Sequence, residues 1–140
     1  MVDTTENEEG PVGDNNFEMQ AEEIESLQYI FPEEMQILKE QPYQLEIVIN
    51  SNTESEEKNF LKMVIVFDLG LTYPDSIPAF RLKNLSPEYM DNTFLDLVET
   101  QMRARGEELL GSYMIFEMCD LAKEKMQDVN EEVLDTLHKL

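Results

Sequence analysis

Cys119 is the only cysteine and His138 the only histidine in a chain of 140 residues. A catalytic thiol needs partial exposure and a nearby base or positive charge. The neighbours of Cys119 are Met118 and Asp120, with Ile115 about one helical turn earlier. No histidine is within reach in sequence. This setting predicts a small buried residue and no nucleophile. A lone cysteine also excludes an internal disulfide framework and a cysteine-rich zinc site, and it fits a reducing compartment.

Carboxylates are the other chemistry-bearing groups, and there are 31 of them. Glu33-Glu34, Glu56-Glu57 and Glu107-Glu108 are adjacent pairs, and adjacent residues on a helix point apart. They read as solvated faces. A calcium loop needs alternating acids around a central glycine, and a phosphate loop needs clustered glycines. Neither pattern occurs, and the five glycines are scattered. The expectation is a protein without enzymatic activity, cofactor or metal. The nine methionines fall mostly in periodic segments and read as core filling.

The stretch LTYPDSIPAF, Leu71 to Phe80, places two prolines behind a tyrosine at the end of an apolar run. Each proline fixes φ and removes a donor, so Tyr73-Pro74 and Ile77-Pro78 force successive turns. A tyrosine ring can pack over such a corner while its hydroxyl bonds a backbone group. Tyr73, Pro74 and Pro78 are therefore expected to be structural.

The elements around the corner follow from periodicity. Phe17, Ala21, Ile24, Leu27 and Phe31 share one helical face, with Asn15 or Asn16 as the expected cap. Pro32 should end that helix. Tyr43 to Asn50 alternates and predicts a half-buried strand. Ser51 to Asn59 reads as a hairpin loop, and Phe60 to Phe67 as a central strand pairing antiparallel with the first. A short strand spans Ala79 to Lys83. A second helix should start near Asp91 or Asn92, with Gly111 as its C-cap. A third should run from about Ser112, with an apolar stripe from Ile115 to Leu140. The class is α+β, with the helices on one face of an antiparallel sheet.

The net charge is −21. Without a Lys/Arg cluster the chain cannot displace counterions from a nucleic-acid backbone, and anionic lipid would repel it. A basic protein partner suits it. Residues 1–34 hold eleven acids and no Lys or Arg. The first fifteen, nearly devoid of apolar residues, are expected to form a disordered acidic tail. No apolar run reaches the roughly 20 residues that span a bilayer, and the acidic start is unlike a signal peptide. The expected address is cytoplasmic.

YPxxxP, as Tyr73-Pro74-Asp75-Ser76-Ile77-Pro78, resembles the signature of the RWD domain. The segment Glu22 to Pro32 resembles that family's opening helix. The segment Gly111-Ser112-Tyr113-Met114-Ile115-Phe116-Glu117-Met118 resembles the start of its last helix. The resemblance implies a helix, a four-stranded antiparallel sheet and two C-terminal helices over residues 16–127, with 128–140 extending the last helix. A fourth strand is expected within Asp68 to Thr72 or Asn84 to Glu88. The resemblance also implies kinship with ubiquitin-conjugating enzymes, but their His-Pro-Asn motif and downstream cysteine are missing from NLSPEYMDN, residues 84–92.

Two family members are similar in their acidic start and extended last helix, or in use. They are the regulator of developmentally regulated GTP-binding proteins and the starvation-responsive initiation-factor-2 kinase. They imply a non-catalytic module of translational and stress control that docks onto a ribosome-associated HEAT-repeat activator, a GTP-binding protein, or both. Glu107 and Glu108 are the expected partner-binding acids. RING-type ligases also carry the domain, so a ubiquitin-pathway component is the alternative.

Overall fold

A computed structural model of the chain describes residues 11–40 and 42–139. The order is α1 (Pro11–Ile30), β1 (Met35–Lys39), β2 (Gln44–Asn50), β3 (Lys62–Asp68), β4 (Ala79–Asn84), α2 (Asn92–Glu108) and α3 (Ile115–His138). The four strands form one antiparallel meander in the order β1-β2-β3-β4. Leu45, Ile47 and Ile49 of β2 stand opposite Phe67, Ile65 and Met63 of β3. These six are buried together with Ile115, Met118, Cys119, Ala122 and Met126 of α3. Each large aliphatic side chain buried this way contributes about 1.5–3 kcal/mol. The core therefore sits between one sheet face and the helices.

Four expectations change. The helix begins at Pro11, four residues before Asn15, because proline is at home in a first helical turn. Residues 1–10 of the expected tail lie outside the described residues, whereas 11–15 are helical. The fourth strand is β1, ahead of the other three and in neither expected segment. It was hard to read because five residues, MQILK, give only one apolar alternation, Met35 and Ile37. Its pairing with β2 also shifts register between Ile37 and Lys39. Leu109, not Gly111, caps the C-terminus of α2.

Asp91 caps α2 at its start, accepting from the Phe94 N–H at 2.8 Å. α3 runs unbroken to His138, but residues beyond Gln127 are not merely a projection. Asn130 is buried. Its Nδ2 donates to the Lys58 carbonyl, and its Oδ1 accepts from the Phe60 N–H and the Ser51 hydroxyl, each at 2.9 Å. One side chain thus ties α3 to the β2–β3 hairpin.

Candidate functional site

The proline corner is held by hydrogen bonds from α1 and from the segment between α2 and α3. Tyr73-Pro74 is a cis peptide bond. Turns follow at once, with Asp75 N–H and Ser76 N–H donating to the Thr72 carbonyl at 2.7 and 3.3 Å. Tyr73, Pro74 and Pro78 are all buried. Two glycines let other elements close on the corner. Gly111, at φ +88, donates its N–H to the Pro74 carbonyl at 2.8 Å. Gly106 in α2 faces Ile77 and Met114, and an added Cβ there would lie 3.2 Å from the Met114 sulfur.

A polar stripe of α1 holds the corner from beneath. Asn16, Gln20 and Glu23 are buried, at helical spacings of four and three. Asn16 Nδ2 lies 3.4 Å from the Thr72 carbonyl and 3.3 Å from Asp75 Oδ2. Gln20 Nε2 donates to the carbonyls of Gly70 and Tyr73 at 3.0 and 3.1 Å. The Tyr73 hydroxyl donates to Glu23 Oε1 and accepts from the Met114 N–H at 3.1 Å. Glu23 Oε2 accepts from the Ile115 N–H at 3.1 Å. The carboxylate thus meets the amino end of α3, where the unpaired N–H groups and the helix dipole favour negative charge.

Burial nevertheless wins: it raises the Glu23 carboxyl above the ordinary glutamate value, against the opposing hydrogen bonds from Tyr73, Ile115 and Met114. Burial, reinforced by Glu23, also pushes the Tyr73 phenol up. A raised carboxyl pKa means that the folded chain keeps a proton, just above the ordinary value, that the unfolded chain has released. Stability must then fall as pH rises through that window. We expect the stability advantage of the wild type over Glu23→Gln to shrink as pH rises above the ordinary glutamate value of about 4. Urea midpoints at each pH check this, and an advantage that grows with pH would contradict it.

Cys119 is buried, and burial, with Glu23 and Asp120 nearby in charge, raises its thiol well above the ordinary range. A protonated buried thiol is a poor nucleophile. His138 lies 19 residues further along α3, about 28 Å along the axis. The two do not meet. Among the described residues no cluster of His, Cys, Asp and Glu could hold a metal ion. No described helix is long and apolar enough to cross a membrane.

Glu107 and Glu108 lie exposed at the end of α2. Glu108 stands 3.5 Å from Arg105, which also reaches Glu117 at 3.1 Å. Glu107 has no cation within 4 Å among the described residues, so it is the less neutralised of the pair. Two grooves open elsewhere. One, of about 240 Å³, lies between the end of α1, β2 and α3, lined by Ile30, Phe31, Val48 and Phe116 with Lys123. The other, of about 370 Å³, runs along the second half of α3 beside Tyr89.

Sequence reasoning located the corner but missed its partners. Asn16 looked like a helix cap, and Glu23 looked like one acid among many. Their spacing with Gln20, a polar stripe beside the apolar one, was the available signal. Asn130 left a similar trace, a polar residue between Met126 and Val133 in the apolar stripe of α3.

The model of the RWD domain matches residues 18–126. The RWD domain-containing protein C1393.09c of Schizosaccharomyces pombe is 28% identical over 105 residues, covering 74% of this chain and 48% of that protein. The E3 ubiquitin-protein ligase RNF25 of Danio rerio is 25% identical over 111 residues, 77% of this chain and 21% of the ligase. The chain thus spans less than half the length of these curated relatives. The solution structure of the RWD domain of mouse GCN2 superposes with a TM-score of 0.71 at 20% identity, covering 79% of this chain and 85% of that one. At that identity the likeness shows the fold alone: three helices and a four-stranded antiparallel sheet.

Proposed function

The chain belongs to the RWD domain family, a family of protein-interaction modules, and from that membership we propose that it is a non-catalytic docking module of translational control in the cytoplasm. Its partner is a ribosome-associated HEAT-repeat activator, a GTP-binding protein, or both. The observation that carries the non-catalytic part is where the reactive groups are used. Tyr73 and Glu23 bond to each other and to the first amides of α3, and the Cys119 thiol is buried. Among the charged groups that face solvent acids predominate, which steers the chain towards a basic protein surface and sets association rate and specificity more than affinity.

The test is binding of the full chain to a purified HEAT-repeat activator by titration calorimetry at low and physiological salt. The double variant Glu107→Lys/Glu108→Lys should bind about three- to tenfold more weakly, mainly through slower association, while its melting temperature stays unchanged. Equal binding of both chains at low salt would remove this face of α2 from the interface. Absence of binding by the wild type would remove the activator.

A second reading has one observation in its favour, the match to a ubiquitin ligase over 77% of the chain. In it the domain is a ligase-associated part of the ubiquitin pathway and binds a pathway protein instead.

A further inference from the structure

The groove along the second half of α3 is apolar and rigid. Val129, Val133 and Leu137 recur every fourth residue and face Tyr89, so the stripe runs about 12 Å along the helix axis. Tyr89 is fixed from behind. Its ring packs edge-on against Phe60 at 5.9 Å, and the Phe60 N–H is held by Asn130. Its loop is tied down too, with the Tyr89 N–H donating to the Ser86 carbonyl at 3.0 Å and Ser86 Oγ accepting from the Lys62 N–H at 2.9 Å. Leu137 nevertheless remains 47% exposed and Tyr89 39%. A preorganised apolar surface left open to water is suited to binding a partner, because little ordering is needed.

Charge decides the occupant. Glu88 and Glu132 rim the groove, and none of its lining residues is basic. Asp128, Glu131 and Asp135 are exposed on the same half of α3, and no Lys or Arg occurs between Lys125 and Lys139. The groove at Phe116 differs, since Lys123 forms part of its wall. A second copy of this chain would bring acid against acid. We infer that this groove receives a basic amphipathic helix of another protein, with an apolar stripe seated between Tyr89 and Leu137 and Lys or Arg side chains meeting Glu88 and Glu132. This rests on the reading of the domain as a docking module and names a surface for it.

The probe is a synthetic helical peptide of Leu and Lys, about 18 residues long, enough for a stripe of four to five turns. Its twin carries Glu at every Lys. Fluorescence anisotropy at physiological salt measures affinity for the full chain, and amide shifts in two-dimensional NMR report where the peptide binds. The Lys peptide should shift Tyr89, Val133 and Leu137, and the Glu twin should not bind. Leu137→Ser should weaken binding about tenfold, and Val133→Ser similarly. Phe116→Ser should leave it unchanged. Leu137 is exposed, so its variant keeps the fold, as circular dichroism verifies.

Shifts centred on Phe116, equal weakening by Phe116→Ser, or no effect of Leu137→Ser would overturn the assignment. So would sedimentation showing a dimer that Val133→Ser dissolves, because the occupant would then be a second copy. None of these results depends on the HEAT-repeat activator, so failure here and failure of the translational reading remain separate.

Discussion

Glu23→Ala will destabilise the protein by about 2–4 kcal/mol, the cost of stranding buried donors that faced a carboxylate. Two groups lose their acceptor at once. Among the described residues the Tyr73 hydroxyl donates only to Glu23, and the Ile115 N–H, in the first turn of α3, has no partner within its own helix. Glu23→Gln keeps one acceptor for Ile115 and offers an amide donor to the Tyr73 oxygen, so its cost should be about 1 kcal/mol. The ordering of the two variants carries more information than either value. Equal losses would mean that Glu23 matters for volume and not for hydrogen bonding. Urea denaturation near neutral pH, with the slope compared between variants, makes the measurement.

Asn130→Ala should cost about 2–3 kcal/mol, because the Phe60 N–H and the Lys58 carbonyl both lose their partner on one side of the hairpin. Truncation after Gln127 should cost at least as much, since it removes Asn130 together with Val129. The sequence places residues 128–140 beyond the domain, as an extension of its last helix. The structure implies a loosened β2–β3 hairpin, with faster amide exchange from Ser51 to Leu61. Unchanged exchange in both variants would show that the hairpin holds itself without α3.

What could be read in advance was whatever local chemistry dictates. Asp91 precedes an apolar-periodic run, and it caps α2. Alternation from Tyr43 to Asn50 fixed which face of β2 enters the core, because a slip by one residue would expose Leu45, Ile47 and Ile49 together. The prolines of the corner forced turns there whatever surrounds them. What escaped depends on distant neighbours. Glu23 and Tyr73 are 50 residues apart, and only its helical spacing with Asn16 and Gln20 separates Glu23 from the exposed Glu22 beside it. Asn130 reaches residues 70 or more positions away. β1 exists because β2 offers it an edge, and its five residues show too little alternation to announce it. Buried polar groups are positioned by their partners, so they surface only when the chain is folded.

The most direct test of the docking role is affinity capture from eukaryotic cytosol, with the full chain as bait, the Glu107→Lys/Glu108→Lys chain as control, and quantitative mass spectrometry as readout. Enrichment of a HEAT-repeat ribosome-associated protein or a GTP-binding protein on the wild type, reduced on the control, is the predicted result. Enrichment of ubiquitin-pathway proteins with neither of these would contradict the translational role and favour the ligase-associated one.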